Sequence, residues 1–190
     1  MDRMARSMAI LGGLVLTVLI VLTCISVLGR GGNTFGHSEF LTSLAPGLAE
    51  ALIGTGIGPV RGDFELVEAG IAFAIFAFLP LCQLHGGHAT VDVFTSYLPA
   101  RINNALIAFW EVLLSAIILL ITWRLFEGLT GKFGNGEITY ILQFPVWYAY
   151  AASFAAAVIA SVVALYCAAA RVTGLLTGRS YMPASEGASH

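Results

Sequence analysis

Four apolar segments, each about 20 residues long, alternate with polar stretches along the chain. A helix of ~20 residues is about 30 Å long, which matches the hydrocarbon core of a bilayer. Apolar and polar residues do not alternate at period two within the segments, so membrane-spanning strands are excluded. The pattern predicts an all-α integral membrane protein with four transmembrane helices, at about residues 8–28, 64–84, 105–125 and 146–170.

Two of the connections carry helical patterns of their own. In the first outer loop, apolar side chains recur every fourth position between residues 40 and 52. In the inner loop, Pro80 is expected to kink or end the second helix, and apolar positions with helical spacing follow between residues 91 and 98. Short amphipathic segments of this kind lie on membrane surfaces. We therefore expect one interfacial helix outside the membrane and one inside.

The composition excludes several classes of protein. Hydrophobic residues make up 58% of the 190 positions and charged residues 11%, whereas an average soluble domain has about 45–50% and about 25%. This balance excludes an ordinary soluble enzyme, and the hydrophobicity excludes a disordered chain. A net charge of −2 gives no indication of nucleic acid as a partner. The expected surroundings are membrane lipid.

Basic residues at both ends of the chain predict its orientation. Arg3 and Arg6 precede the first span, and Arg171 follows the fourth; such residues favour the cytoplasmic side. An even number of spans then places both termini in the cytoplasm. The first apolar run is longer than a signal-peptide core and no cleavage site follows it, so we expect a retained helix. The predicted organisation is one membrane domain, residues 1–172, and a flexible cytoplasmic tail, residues 173–190.

The sequence offers few groups for chemistry. None of the four histidines lies in the middle of a span, so the axial ligands of a membrane cytochrome are missing. The three cysteines lie in apolar stretches without paired spacing. Motifs for a nucleophile elbow, a phosphate-binding loop or a zinc protease are absent. We therefore expect no enzymatic activity, no metal site and no cofactor.

Apart from Glu65 at the edge of the second span, three charged residues lie within the spans; they need partners, because an ionisable group inside a bilayer is costly. Glu68 and Arg124 lie near the outer ends of the second and third spans. The short inner loop makes these helices antiparallel neighbours, so we predict that the two side chains pair. For Glu111 three roles stay open: a proton or ion site, a residue that reaches water, or a polar contact to another helix or subunit. Residues at equal depth in antiparallel neighbouring spans should lie side by side, and this depth matching places Ser161 of the fourth span opposite Glu111. We therefore predict a hydrogen bond from Glu111 to Ser161 or to a partner subunit.

The stretch from Gly62 to Pro99 resembles a motif of the small permease subunit, or DctQ-like subunit, of tripartite ATP-independent periplasmic (TRAP) transporters. In that motif an acidic residue opens the second helix, a Gly-His element follows on the cytosolic side, and a Val-Asp pair begins a short helix that ends Leu-Pro. The segment before the fourth span also resembles the family. The matching positions are Glu65, Glu68, Gln83, Gly87, His88, Val91, Asp92, Leu98 and Pro99 in the first stretch and Glu137, Pro145 and Trp147 in the second.

The resemblance implies a subunit of a bacterial inner-membrane complex. In this family a large permease subunit carries the substrate and sodium ions, a periplasmic binding protein delivers the solute, and the solutes are mostly organic acids. The small subunit is expected to do no chemistry and to act as a static scaffold for the large subunit. Sodium ions are accordingly expected in the large subunit and not in this chain.

Two other functions stay open. The chain could be the membrane anchor of a redox or signalling complex, in which case bound haem or flavin would accompany the purified protein. It could also be a small proton-coupled exporter that uses Glu111. In such exporters, however, the membrane carboxylate lies in the first helix, and here the first span carries no charge.

Overall fold

The computed structural model describes residues 1–38, 58–85 and 100–177, with a few isolated positions between 43 and 56. These ranges contain four α-helices, each long and apolar enough to cross a membrane. The prediction of an all-α membrane protein with four spans is confirmed. The helices are α1 (Asp2–Gly36), α2 (Asp63–Leu84), α3 (Ala100–Asn135) and α4 (Trp147–Thr177).

Three helices are longer than the apolar segments that predict them. α1 and α3 are each about 50 Å long, well beyond a hydrocarbon core of about 30 Å. α3 continues past the predicted end near Leu125 to Asn135, and the next residue, Gly136, has a φ of 60°. A glycine in this left-handed conformation is a common helix end. α4 continues to Thr177, so residues 173–177 of the predicted tail are helical.

α4 is the most buried helix of the bundle. It packs along both α2 and α3, and α1 packs along α2. Over the most apolar 18 residues of each helix, 44% of the stretch is buried in α4, compared with 17% in α1, 17% in α2 and 28% in α3. The short inner loop predicts that α2 is the main neighbour of α3. In the structure α3 packs chiefly against α4 instead.

Small side chains on α4 explain this close packing. Ala156, Ala157, Ala160 and Ala164 have at most 1% of their surface exposed. Ala156 packs against residues of α1 and α2, and Ala160 and Ala164 pack against residues of α2 and α3. With no hydrophobic driving force between helices in lipid, such small residues allow the backbones to approach and gain van der Waals contact. The small-residue pattern along the fourth span thus identifies its buried face.

Several predicted features lie outside the described residues. They are the interfacial helix of the inner loop with Gly87, His88, Asp92 and Pro99, and nearly all of the interfacial helix expected between residues 40 and 52. α2, in contrast, is described over its whole length. It continues through Pro80 to Leu84, which places Gln83 on the helix and not in the inner loop.

Candidate functional site

A buried polar cluster joins α2, α3 and α4 in the inner half of the bundle. The Nε2 group of Gln83 donates hydrogen bonds to Oε1 of Glu111, at 3.0 Å, and to Oγ of Ser115, at 3.2 Å. The Ser115 hydroxyl in turn donates to the backbone carbonyl of Ala164, at 3.0 Å. Gln83, Ser115 and Glu111 are 1%, 3% and 7% exposed. Both N–H groups of the Gln83 amide therefore donate to side chains of α3.

The sequence predicts that Glu111 bonds Ser161 or a partner subunit, and the predicted contact with Ser161 is wrong. Glu111 is hydrogen-bonded to Gln83 of α2, whereas Ser161 shares a hydrogen bond of 2.8 Å with Thr122 of α3. The physical reason is the register between the helices. Depth matching took the outer end of the third span at Leu125, but α3 continues to Asn135, so its residues lie more than one turn away from the assumed depth.

The predicted ion pair between Glu68 and Arg124 is not formed either. Arg124 donates from Nη1 to Oε2 of Glu127 at 2.8 Å, and Trp123 donates from Nε1 to the other carboxyl oxygen at 3.0 Å. No ion pair within the described ranges includes Glu68. Because α3 packs chiefly against α4, Arg124 finds its partner one turn further along its own helix.

At the outer side, a second polar cluster fixes α1 to the start of α2. The hydroxyl of Ser26, fully buried, donates to the Asp63 carboxylate and accepts the backbone N–H of Val60 at 3.2 Å. Arg30 lies 3.7 Å from the same carboxylate. Nearby, α1 and the segment before α2 are so close that a Cβ added to Gly29 would lie 2.1 Å from a backbone carbonyl oxygen. This contact requires glycine.

Glu65 binds the connection between α3 and α4. Its two carboxyl oxygens accept the backbone N–H groups of Ile141 and Leu142, at 2.8 and 2.9 Å. The segment that carries them, residues 137–146, is a short hairpin (the outer hairpin) closed by an antiparallel bridge between Ile138 and Pro145. A bidentate carboxylate on two successive amides is a strong, directional contact. Glu65 therefore attaches the outer hairpin to α2.

Trp147, the first residue of α4, packs at the base of the outer hairpin. Its ring meets Phe133 of α3 edge-to-face, at 5.3 Å between centroids, and lies 4.2 Å from the ring of Tyr148. Lys132 of α3 forms an ion pair with Glu137 of the hairpin. The two sequence stretches that resemble one family, around Glu65 and around Trp147, thus meet at one place in the structure. The sequence gives no direct signal for this contact, since Glu65 and Ile141 are 76 positions apart.

A family model, that of the DctQ component of tripartite ATP-independent periplasmic transporters, matches residues 55–174. This chain belongs to the DctQ family. The match covers most of the chain, including α2, α3, the outer hairpin and nearly all of α4. No curated protein and no solved structure matches the chain. The predicted identity as a TRAP-type small permease subunit is confirmed at the level of the family.

DctQ proteins are components of a transporter and not a family of enzymes. The two polar clusters consist of hydrogen bonds and an ion pair that join neighbouring parts of the bundle. Within the described ranges, no group of three or more side chains suited to a metal ion occurs. Of the residues singled out in the sequence, Gln83 and Glu111 come together, and Glu65 meets the hairpin that precedes Trp147.

Proposed function

We propose that this chain is the small membrane subunit of a sodium-coupled, binding-protein-dependent TRAP transporter that imports an organic acid, and that it is a static scaffold for the large permease subunit. Membership of the DctQ family supports a role as one component among several. The sodium ions and the solute are bound by the partners, a large permease subunit and a periplasmic binding protein. This chain holds no cofactor.

The observation that carries the scaffold role is the set of polar contacts at both ends of the bundle. Gln83 joins α2 to α3 inside, and Glu65 joins α2 to the outer hairpin. On the inner side, Nε2 of His85 also lies 3.5 Å from a carboxyl oxygen of Asp2 in α1. Sliding one helix past another would break these bonds, and in the buried cluster around Gln83 it would leave polar groups unpaired away from water, which is unfavourable.

The same contacts favour the scaffold over an exporter that uses Glu111. Glu111 is 7% exposed and its carboxyl group accepts an N–H from Gln83, which is the arrangement of an interhelical contact. Apolar side chains on α1 and α3 face outward, among them Leu28, Leu120 and Trp123, and such faces suit the lipid around a membrane protein. We place the chain in the bacterial inner membrane with both termini in the cytoplasm.

Reconstitution into liposomes tests the proposal. Vesicles with both permease subunits, the binding protein outside and an inward sodium gradient should accumulate the organic acid that the binding protein recognises. Vesicles with this chain alone should accumulate none, and replacement of the sodium gradient by a potassium gradient should abolish uptake. Uptake by this chain alone, or export driven by a proton gradient and lost in Glu111→Gln, would contradict the proposal.

A further inference from the structure

One face of α2 remains outside the bundle. Its exposed residues are Phe64, Glu68, Ile71, Ile75 and Phe78, which recur at alternating steps of four and three. The opposite face of α2 packs against α1 and α4. Steps of four and three are the spacing with which one helix presents a continuous seam to another. We call this set the α2 seam.

Glu68 is the one charged residue of the seam, and it differs from the two acidic residues before it. Asp63 is satisfied by Ser26 and Arg30, and Glu65 by two backbone N–H groups. Within the described parts of the chain, no hydrogen bond or ion pair is made by Glu68. Among the described residues, its carboxyl group is an acceptor without a donor.

Glu68 also lies too deep to be an ordinary boundary residue. Two contacts give the register between α1 and α2: Ser26 bonds Asp63, and Leu19 packs against Gly70. By that register Glu68 lies level with Val21, seven residues before the end of the apolar run at residue 28. Seven residues of helix are about 10 Å, a third of a hydrocarbon core of ~30 Å. A carboxylate exposed to lipid at this depth is costly.

Few cations of this chain are available on the outer side. Residues 31–60 contain no lysine or arginine. Arg30, Arg124 and Lys132 each lie within ion-pair distance of another carboxylate. That leaves Arg61, which is exposed and not within 4.0 Å of any described carboxylate.

We propose that the α2 seam is the face on which a transmembrane helix of the large permease subunit docks, and that Glu68 accepts a hydrogen bond from an arginine, lysine or other donor side chain of that helix. The inference rests on the proposed function. The apolar residues on either side of Glu68 exclude water, so the charged contact is stronger than at a surface. A single polar position within an apolar seam also fixes the register and the choice of partner.

Photocrosslinking in the assembled complex tests the docking face while Glu68 stays in place. Ile75 of the seam and Leu120 of α3 are 56% and 60% exposed, which makes position 120 a matched control. A benzophenone amino acid at position 75 should crosslink the large subunit, and the same group at position 120 should react mainly with lipid. Equal yields of subunit crosslink at both positions, or reaction with lipid alone at position 75, would overturn the proposal.

Copurification tests Glu68 itself. We expect Glu68→Leu to reduce the amount of large subunit bound by about tenfold, as loss of one hydrogen bond to a charged group predicts. Glu127→Leu, which removes a carboxylate paired within its own helix, should leave copurification unchanged. Full copurification of Glu68→Leu, or recovery of Glu68→Arg by Arg61→Glu, would overturn the contact. A wild-type chain that never copurifies contradicts the proposed function instead.

Discussion

We expect Gln83→Leu to destabilise the bundle more than replacement of any other amide side chain. The reason is that Gln83 donates two hydrogen bonds within the buried polar cluster of α2, α3 and α4. The substitution nearly conserves side-chain volume and removes both N–H donors, those to Glu111 and to Ser115. Hydrogen bonds between membrane helices contribute about 0.6 kcal/mol on average. A buried acceptor left without a donor costs about 1–3 kcal/mol. The two lost bonds and the unpaired acceptor together predict a loss of about 2–4 kcal/mol in the free energy of unfolding.

The assay is reversible unfolding in mixed micelles, followed by circular dichroism as the share of denaturing detergent rises. Asn104→Leu is the matched control, because it removes an exposed amide from α3 and should change the free energy of unfolding by at most about 0.5 kcal/mol. Glu111→Gln keeps a side-chain oxygen that can accept the Gln83 N–H, so it should cost less than about 1 kcal/mol.

A double variant separates the hydrogen bond from a general effect on packing. Gln83→Leu with Glu111→Leu replaces both partners by apolar groups, which is far less costly than leaving one of them unpaired. The double variant should therefore be more stable than the sum of the two single changes predicts. Strict additivity, or a Gln83→Leu variant as stable as the Asn104→Leu control, would refute the cluster as a source of stability.

Three further changes test the other contacts. Glu65→Ala should speed amide hydrogen exchange in the outer hairpin, whereas Glu65→Gln, which keeps one acceptor oxygen, should speed it less; equal exchange in all three proteins would contradict the attachment. Gly29→Val should lower the free energy of unfolding by about 1–3 kcal/mol through overpacking, while Gly31→Val, with open space around it, should not. Thr122→Val removes the hydrogen bond to Ser161 and should cost about 0.6 kcal/mol in the same unfolding assay; an unchanged midpoint would contradict that bond.

The number and type of helices could be predicted from the sequence because a bilayer imposes a length and a polarity on each span. The packing of α3 against α4 could not be predicted with the same ease. The short loop between α2 and α3 indicates neighbours, but the small residues of α4 allow a closer approach, and both helices pack along it. The small residues of α4 indicate that it is closely packed, but a prediction from loop length alone assigns α3 to α2.

The candidate contacts were harder to predict, because a partner depends on register and not on residue type. Glu111 has a polar partner within the bundle as expected, but an error of more than one turn in the end of α3 exchanges Ser161 for Gln83. Arg124 shows a second limit: a partner one turn away on the same helix is reached before one on another helix. Glu65 binds backbone N–H groups, which leave no trace in side-chain patterns.

The most direct test of the static scaffold is a distance measurement in the working transporter. Spin labels are attached at the exposed positions 28 and 120, on α1 and α3. Pulsed electron paramagnetic resonance then measures the distance between the two labels in the assembled complex. A second pair, from position 28 to the transport domain of the large subunit, serves as the positive control. On addition of sodium and solute, the scaffold account predicts one unchanged distance between positions 28 and 120 while the control distance changes. A new distance between positions 28 and 120 that appears together with the change in the control would contradict it.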